Sequence, residues 1–106
     1  MAMKSNDPIG SLFRRKLVEM YGDRLDKVIL FGSHARGDAR TDSDYDVAVF
    51  LKSVPNRWQE LDRLADASLD FVDETGVVVN AFAYPLAAYD ERTPLMSEIR
   101  REGVEL

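Results

Sequence analysis

Two aspartates one residue apart, Asp44 and Asp46, follow a Gly32-Ser33 pair across a short polar stretch. If the residues from Tyr45 onward form a strand, alternation places Asp44, Asp46 and Ala48 on one face and Tyr45, Val47 and Val49 on the other. Neighbouring carboxylates repel each other, and the arrangement is tolerated where a cation bridges them or where both face open water. Gly32 carries no Cβ, so a ligand can approach its backbone closely, and exposed amides beside the Ser33 hydroxyl can hold phosphate oxygens. Arg36 adds a guanidinium suited to the same oxygens, and Gly37 a second permissive backbone position. Each half alone is commonplace, since Gly-Ser after a strand is an ordinary turn and Asp-x-Asp an ordinary solvated face. Together, at this spacing, they point to a divalent cation and a phosphate held side by side.

These side chains need elements to position them. Lys27 to Phe31 is a run of branched apolar residues ending at glycine, which predicts a buried strand, and Tyr45 to Leu51 predicts the second. Asp7-Pro8 predicts a helix start, with a stripe of Ile9, Leu12, Phe13, Leu17 and Met20, a solvated basic triplet at Arg14 to Lys16, and a stop at Gly22. Beyond a turn at Ser53 to Asn56, the residues Trp58, Leu61, Leu64, Ala65, Leu69 and Val72 mark a helix of about 16 residues lying across the sheet. Glu74-Thr75-Gly76 ends it, and Val77 to Tyr84 predicts a third strand stopped by Pro85. Thr93-Pro94 opens a last helix through Arg101, whose apolar side of Leu95, Met96 and Ile99 could serve the core or a homo-oligomer, and Gly103 closes it. The order α-β-β-α-β-α predicts one α/β (α+β) domain over residues 1–106. Its small mixed sheet of about three strands carries helices mainly on one face and the site on the other.

Composition narrows the function. Fourteen basic against nineteen acidic residues leave a net charge of −5, which disfavours a long polynucleotide substrate. With no cysteine, a disulfide framework and a thiolate metal site are both excluded. The stretch Met1 to Asp7 has no apolar signal core, and no run reaches the roughly 18 apolar residues that cross a bilayer, so a cytoplasmic protein is expected.

The motif Gly32-Ser33-His34-Ala35-Arg36-Gly37 followed by Ser43-Asp44-Tyr45-Asp46 resembles that of the nucleotidyltransferase superfamily that includes DNA polymerase beta. Within it, the small domain resembles the minimal nucleotidyltransferases, often paired with a HEPN-domain protein in toxin–antitoxin modules. The resemblance implies that Gly32 and Ser33 hold the β and γ phosphates of a nucleoside triphosphate, ATP being expected, while Asp44 and Asp46 bind two Mg²⁺ ions. It further implies that Arg36 neutralises triphosphate charge and that Ser43 caps or orients the aspartate strand. Such a site works by positioning and charge rather than through a covalent nucleophile.

Catalytic members of that superfamily usually place a third acidic residue on a neighbouring strand. The corresponding strand here offers Asn80, which can give a metal a carbonyl oxygen but cannot act as a base. Asp70, Asp73 and Glu74 precede that strand and are read as the exposed end of the long helix. His34 is read as facing solvent or phosphate rather than as a general base, and Trp58 as core rather than a base-stacking platform, a part equally open to Tyr84. Two functions follow: an Mg²⁺-dependent enzyme moving AMP onto a hydroxyl of a HEPN-type partner, or a nucleotidyltransferase-fold binding subunit without turnover. Nucleotidylation of a small molecule is a weaker third.

Overall fold

In the computed structural model, which describes residues 3–4 and 7–106, the three long helices begin where side-chain caps dictate and end at glycines. The first helix, α1 (Pro8–Tyr21), starts at Asp7, whose Oδ1 accepts the Ile9 and Gly10 amides at 2.9 and 3.2 Å. Asn56 Oδ1 accepts the Gln59 amide to open α3 (Arg57–Thr75), and the Thr93 hydroxyl accepts the Met96 amide to open α4 (Pro94–Glu102). Each bond satisfies a donor that helix geometry leaves unpaired. The amino-terminal stretch read for a signal core falls partly on residues 1, 2, 5 and 6, outside the described residues. No helix among the described residues is long and apolar enough to cross a membrane.

The strands β1 (Met3–Lys4), β2 (Leu25–Phe31), β3 (Tyr45–Leu51), β4 (Val79–Pro85) and β5 (Val104–Glu105) form one mixed sheet in the order β1-β5-β2-β3-β4. β2 and β3 are antiparallel, whereas β3 and β4 are parallel and joined through α3. Five strands replace the expected three, because β1 and β5 are two residues each and too short to leave an alternating pattern. The turn Ser33–Arg36 (α2), a single helical turn inside the motif loop, also escapes periodicity.

β3 explains the layering. Every residue in it except Asp46 is buried, as expected of a central strand covered on both faces. Tyr45, Val47, Val49 and Leu51 pack with Val28 and Leu30 beneath α1 and α3, where Phe13 meets Phe71 edge-on at 5.2 Å. On the opposite face Ile29, Phe31, Ala48 and Phe50 meet Met96 and Ile99 of α4. The two long helices thus share one face, and α4 covers part of the other. Of the helix positions left open at the sequence level, Met96 and Ile99 are core, while Leu95 is exposed.

On α3 the buried line is Glu60, Leu64, Ala67 and Phe71. Trp58, read as core, is 75% exposed, and Leu69 is 62% exposed. Apolar residues occupy so wide an arc of this helix that helical spacing selects two lines, of which the sheet takes one. Glu60 joins the buried line because charge meets it there: Arg24 lies 3.1 Å from its Oε1, and Arg63 3.7 Å.

Candidate active site

Strand pairing brings the motif's separate pieces together. Phe31 stands opposite Asp46 across the β2–β3 pair, and Asp46 opposite Asn80 across the β3–β4 pair. The Tyr45 amide donates to the Val78 carbonyl at 3.0 Å, locking the start of β3 to the entry of β4. Asp46 therefore sits between the end of the first motif strand and the position where a third acid was sought. The face it occupies is the one opposite α1 and α3, as alternation required.

Gly32 is needed for two reasons. Its φ of 76° lies in the left-handed region that disfavours other residues, and an added Cβ would overlap Oδ2 of Asp46. Backbone and carboxylate are thus in direct contact, so the Gly-Ser half and the aspartate half of the motif lie against each other. Behind Gly32, its carbonyl accepts the Ala35 and Arg36 amides at 3.1 Å. The amides of Ser33 and His34, at the first turn of α2, have no intrahelical acceptor and are the donors suited to an anion.

Asn80 Nδ2 donates to Oδ2 of Asp44 and Oδ1 of Asp46, each at 3.3 Å. One neutral amide therefore bridges both carboxylates. No lysine, arginine or histidine among the described residues pairs with either. Two oxygen anions on one face with no protein cation to balance them suit a hard divalent ion. Among the described residues no cluster of three or more acidic, histidine or cysteine side chains forms a complete metal cage. Mg²⁺ in general takes one or two carboxylates and completes its shell with phosphate oxygens and water. Turned over about its terminal torsion, Asn80 would offer a carbonyl oxygen instead.

The loop between the two halves is braced from the side. His34 stacks on the Tyr45 ring at 3.7 Å, nearly parallel, and its Nε2 lies 2.9 Å from the Ser43 carbonyl. The Tyr45 hydroxyl donates to Asp7 Oδ2 at 2.9 Å, while the other oxygen of Asp7 caps α1. Burial first, then the Asp7 carboxylate, pushes the Tyr45 pKa up to about 12. His34 is thus a brace, neither solvent-facing nor placed as a base. Ser43 closes the preceding turn, its hydroxyl accepting the Arg40 amide at 2.8 Å.

Arg36 points elsewhere than the sequence suggested. Its guanidinium faces Asp38 at 3.3 Å and reaches Glu102 and Glu98 of α4 at 3.5 and 3.8 Å. The Asp38 hydrogen bond and charge hold its pKa above the ordinary value. With three carboxylates around it, Arg36 fastens α2 to α4. Asp70, Asp73 and Glu74 are exposed on α3, as expected, and supply no third carboxylate. Tyr84 lies against Phe50, ring centroids 5.7 Å apart, in the α4 layer, and Trp58 is on α3. The sequence reading missed the Asp7–Tyr45 bond; an N-cap aspartate has one oxygen to spare, but its partner 38 positions away leaves no local signal.

The family described as Nucleotidyltransferase domain matches residues 11–101, a span holding Gly32, Ser33, Asp44, Asp46 and Asn80. The chain belongs to this nucleotidyltransferase family. A relative from Thermococcus cleftensis named protein adenylyltransferase MntA is 34% identical over 74 residues, covering 65% of this chain and 73% of its own. The solved structure of a candidate minimal nucleotidyltransferase superposes with a TM-score of 0.59 at 27% identity, over 96% of this chain and 99% of that one. A toxin–antitoxin structure with AMP-PNP gives a TM-score of 0.57 at 25% identity, over 89% of this chain and 69% of that one. The nucleotidyltransferase fold and its minimal form expected from the motif are thereby borne out.

Proposed function

We propose that the protein transfers AMP from Mg-ATP to a hydroxyl on a HEPN-type partner, as the nucleotidyltransferase of a toxin–antitoxin pair. The observation that carries this reading is the contact of Asp46 with the Gly32 backbone, which sets the phosphate-binding turn against the Asp44/Asp46 pair. The adenylyltransferase name of the Thermococcus relative supports ATP as donor and a protein as acceptor, and the toxin–antitoxin likeness supports a partner. Gly32 and Ser33 receive the β and γ phosphates, and Asp44 and Asp46 hold the metal. Ser43 keeps the turn before the aspartates closed. Mg²⁺ held there would supply positive charge to offset that of the triphosphate and its leaving group.

In the transfer, the acceptor hydroxyl oxygen bonds to the α-phosphorus as the bond from that phosphorus to the bridging oxygen breaks. The electron pair leaves with pyrophosphate, and the hydroxyl proton passes to water because Asn80 is no base. The protein contributes orientation and a fixed charge pattern. Incubation with α-labelled ATP, Mg²⁺ and a HEPN-type partner is expected to label the partner, with the label lost in Asp44→Asn. Absence of label under every metal condition would rule the transferase out.

A second reading is favoured by Asn80 itself, because an amide at the third position suits a subunit that binds metal-nucleotide without turning it over. Calorimetry separates the two, since metal-dependent ATP binding without covalent transfer supports the binding module.

A further inference from the structure

The apolar residues that α3 does not bury gather along one side. Trp58, Leu61, Leu69 and Val72 of the helix, with Val78 and Phe82 at β4, line a groove of about 780 Å³. β4 is the edge strand of the sheet, so one row of its backbone donors and acceptors faces this groove unpaired by any strand among the described residues. Asn80 lies midway along the strand side of the groove, between Val78 and Phe82, and because α3 carries the chain from the end of β3 back to the start of β4, Trp58 lies toward the Phe82 end.

The adjoining stripe of the helix is acidic. Asp62, Asp66 and Asp73 are spaced by four and seven residues, which at about 100° per residue puts them within about 40° of one another, directly beside Trp58 and Leu69. All three are exposed, and no lysine or arginine among the described residues pairs with them. Asp62 lines the groove itself, while Asp66 also borders the neighbouring cleft toward α1 that Lys16 and Arg63 line. An open apolar row with carboxylates along its rim calls for an occupant that is apolar on one side and basic along its edge.

We infer that the groove between α3 and the β4 edge docks an amphipathic segment of another protein, with apolar side chains seated between Trp58 and Phe82 and lysine or arginine side chains against Asp62, Asp66 and Asp73. The acidic row repels nucleic acid and anionic lipid. It also opposes a second copy of this chain, because a two-fold contact on this face would set two such rows together in a protein of net charge −5. The segment seated there reaches Asn80, at the border of the carboxylate pair. The inference goes beyond the proposed transfer and stands whether or not the Asp44/Asp46 site turns over.

Trp58 is the single tryptophan, so its emission reads occupancy directly. The full chain is titrated with a leucine–lysine amphipathic helix of about five turns, with the same peptide carrying glutamate for lysine, and with a scrambled leucine–lysine peptide that has no apolar face. A saturable blue shift with the first peptide alone is expected, lost in Leu69→Glu and weakened about tenfold or more in Asp62→Lys/Asp66→Lys. All three positions are exposed, and unchanged helical circular dichroism verifies the fold. Equal binding of the glutamate or scrambled peptide, an affinity unmoved by the charge reversal, or no binding at all would overturn the inference. A blue shift that grows with protein concentration in the absence of peptide would also overturn it, as self-association.

Discussion

The Asn80 amide lies 3.3 Å from Oδ1 of Asp46, its partner in the parallel register of β3 and β4, and from there also reaches Asp44. The likeness to the superfamily implies an acid on this neighbouring strand, where the chain offers Asn80. Asn80→Asp therefore places a third carboxylate beside the other two without moving the backbone. Transfer in the presence of Mg²⁺ is expected to rise by about 10²-fold, the lower range for a positioned base, while the metal-free protein loses stability to like-charge repulsion. Initial rates and melting temperatures with and without Mg²⁺ measure both effects, and a rate equal to wild type would show that the neighbouring strand plays no part in proton removal.

Gly32→Ala tests the contact that unites the site. The substitution strains a positive φ, at about 1 kcal/mol, and its methyl group displaces the Asp46 carboxylate. Metal-dependent ATP binding is expected to weaken by at least tenfold, about 1.4 kcal/mol, with only a modest fall in melting temperature. Calorimetric titration beside a thermal melt checks the split; intact binding would mean that Asp46 can hold the metal from another rotamer.

Tyr45 makes stability depend on alkaline pH. Its folded value of about 12 lies above the ordinary 10.0, so the unfolded chain releases the proton first. The stabilisation is complete below pH 10 and is lost as pH rises toward 12. Tyr21 and Tyr84, whose values burial also raises, act in the same direction. Tyr45→Phe is expected to lose about 1 kcal/mol near neutrality with the Asp7 bond and to show a shallower decline above pH 10. Urea midpoints from pH 7 to 11 give both numbers, and an unchanged decline would assign the slope to the other tyrosines.

Arg24 and Glu60 provide a test of stability away from the site. Glu60 is buried, its Oε2 has no partner among the described residues, and the Tyr21 hydroxyl near it also lacks hydrogen-bond geometry. Burial first and the Glu60 carboxylate second push the Tyr21 pKa up. Arg24→Ala leaves that carboxylate with Arg63 as its one cationic partner among the described residues and is expected to cost about 3 kcal/mol. Arg24→Met with Glu60→Leu should recover most of it, since apolar replacement of a buried ion pair is often neutral. Denaturant unfolding of the single and double variants decides; a double variant no better than Arg24→Ala would mean that the ion pair is itself stabilising.

What the sequence determined by itself were the features that obey local rules. Asp7-Pro8 and Thr93-Pro94 cap helices because their side chains reach amides two or three residues on, and Asp44 and Asp46 share a face because a strand repeats every two residues. The Gly-Ser and Asp-x-Asp halves were legible for the same reason, and so was the family likeness they carry. Tertiary structure decided the rest. Whether Trp58 or Phe71 entered the core, whether Glu60 found Arg24, and where Arg36 turned depended on which element packed alongside, and spacing along one helix cannot say that. The contact of Asp46 with Gly32 and its bond to Asn80 arise from strand order, because only the pairing of β3 with β2 on one side and β4 on the other brings residues 14 and 34 positions away against one carboxylate.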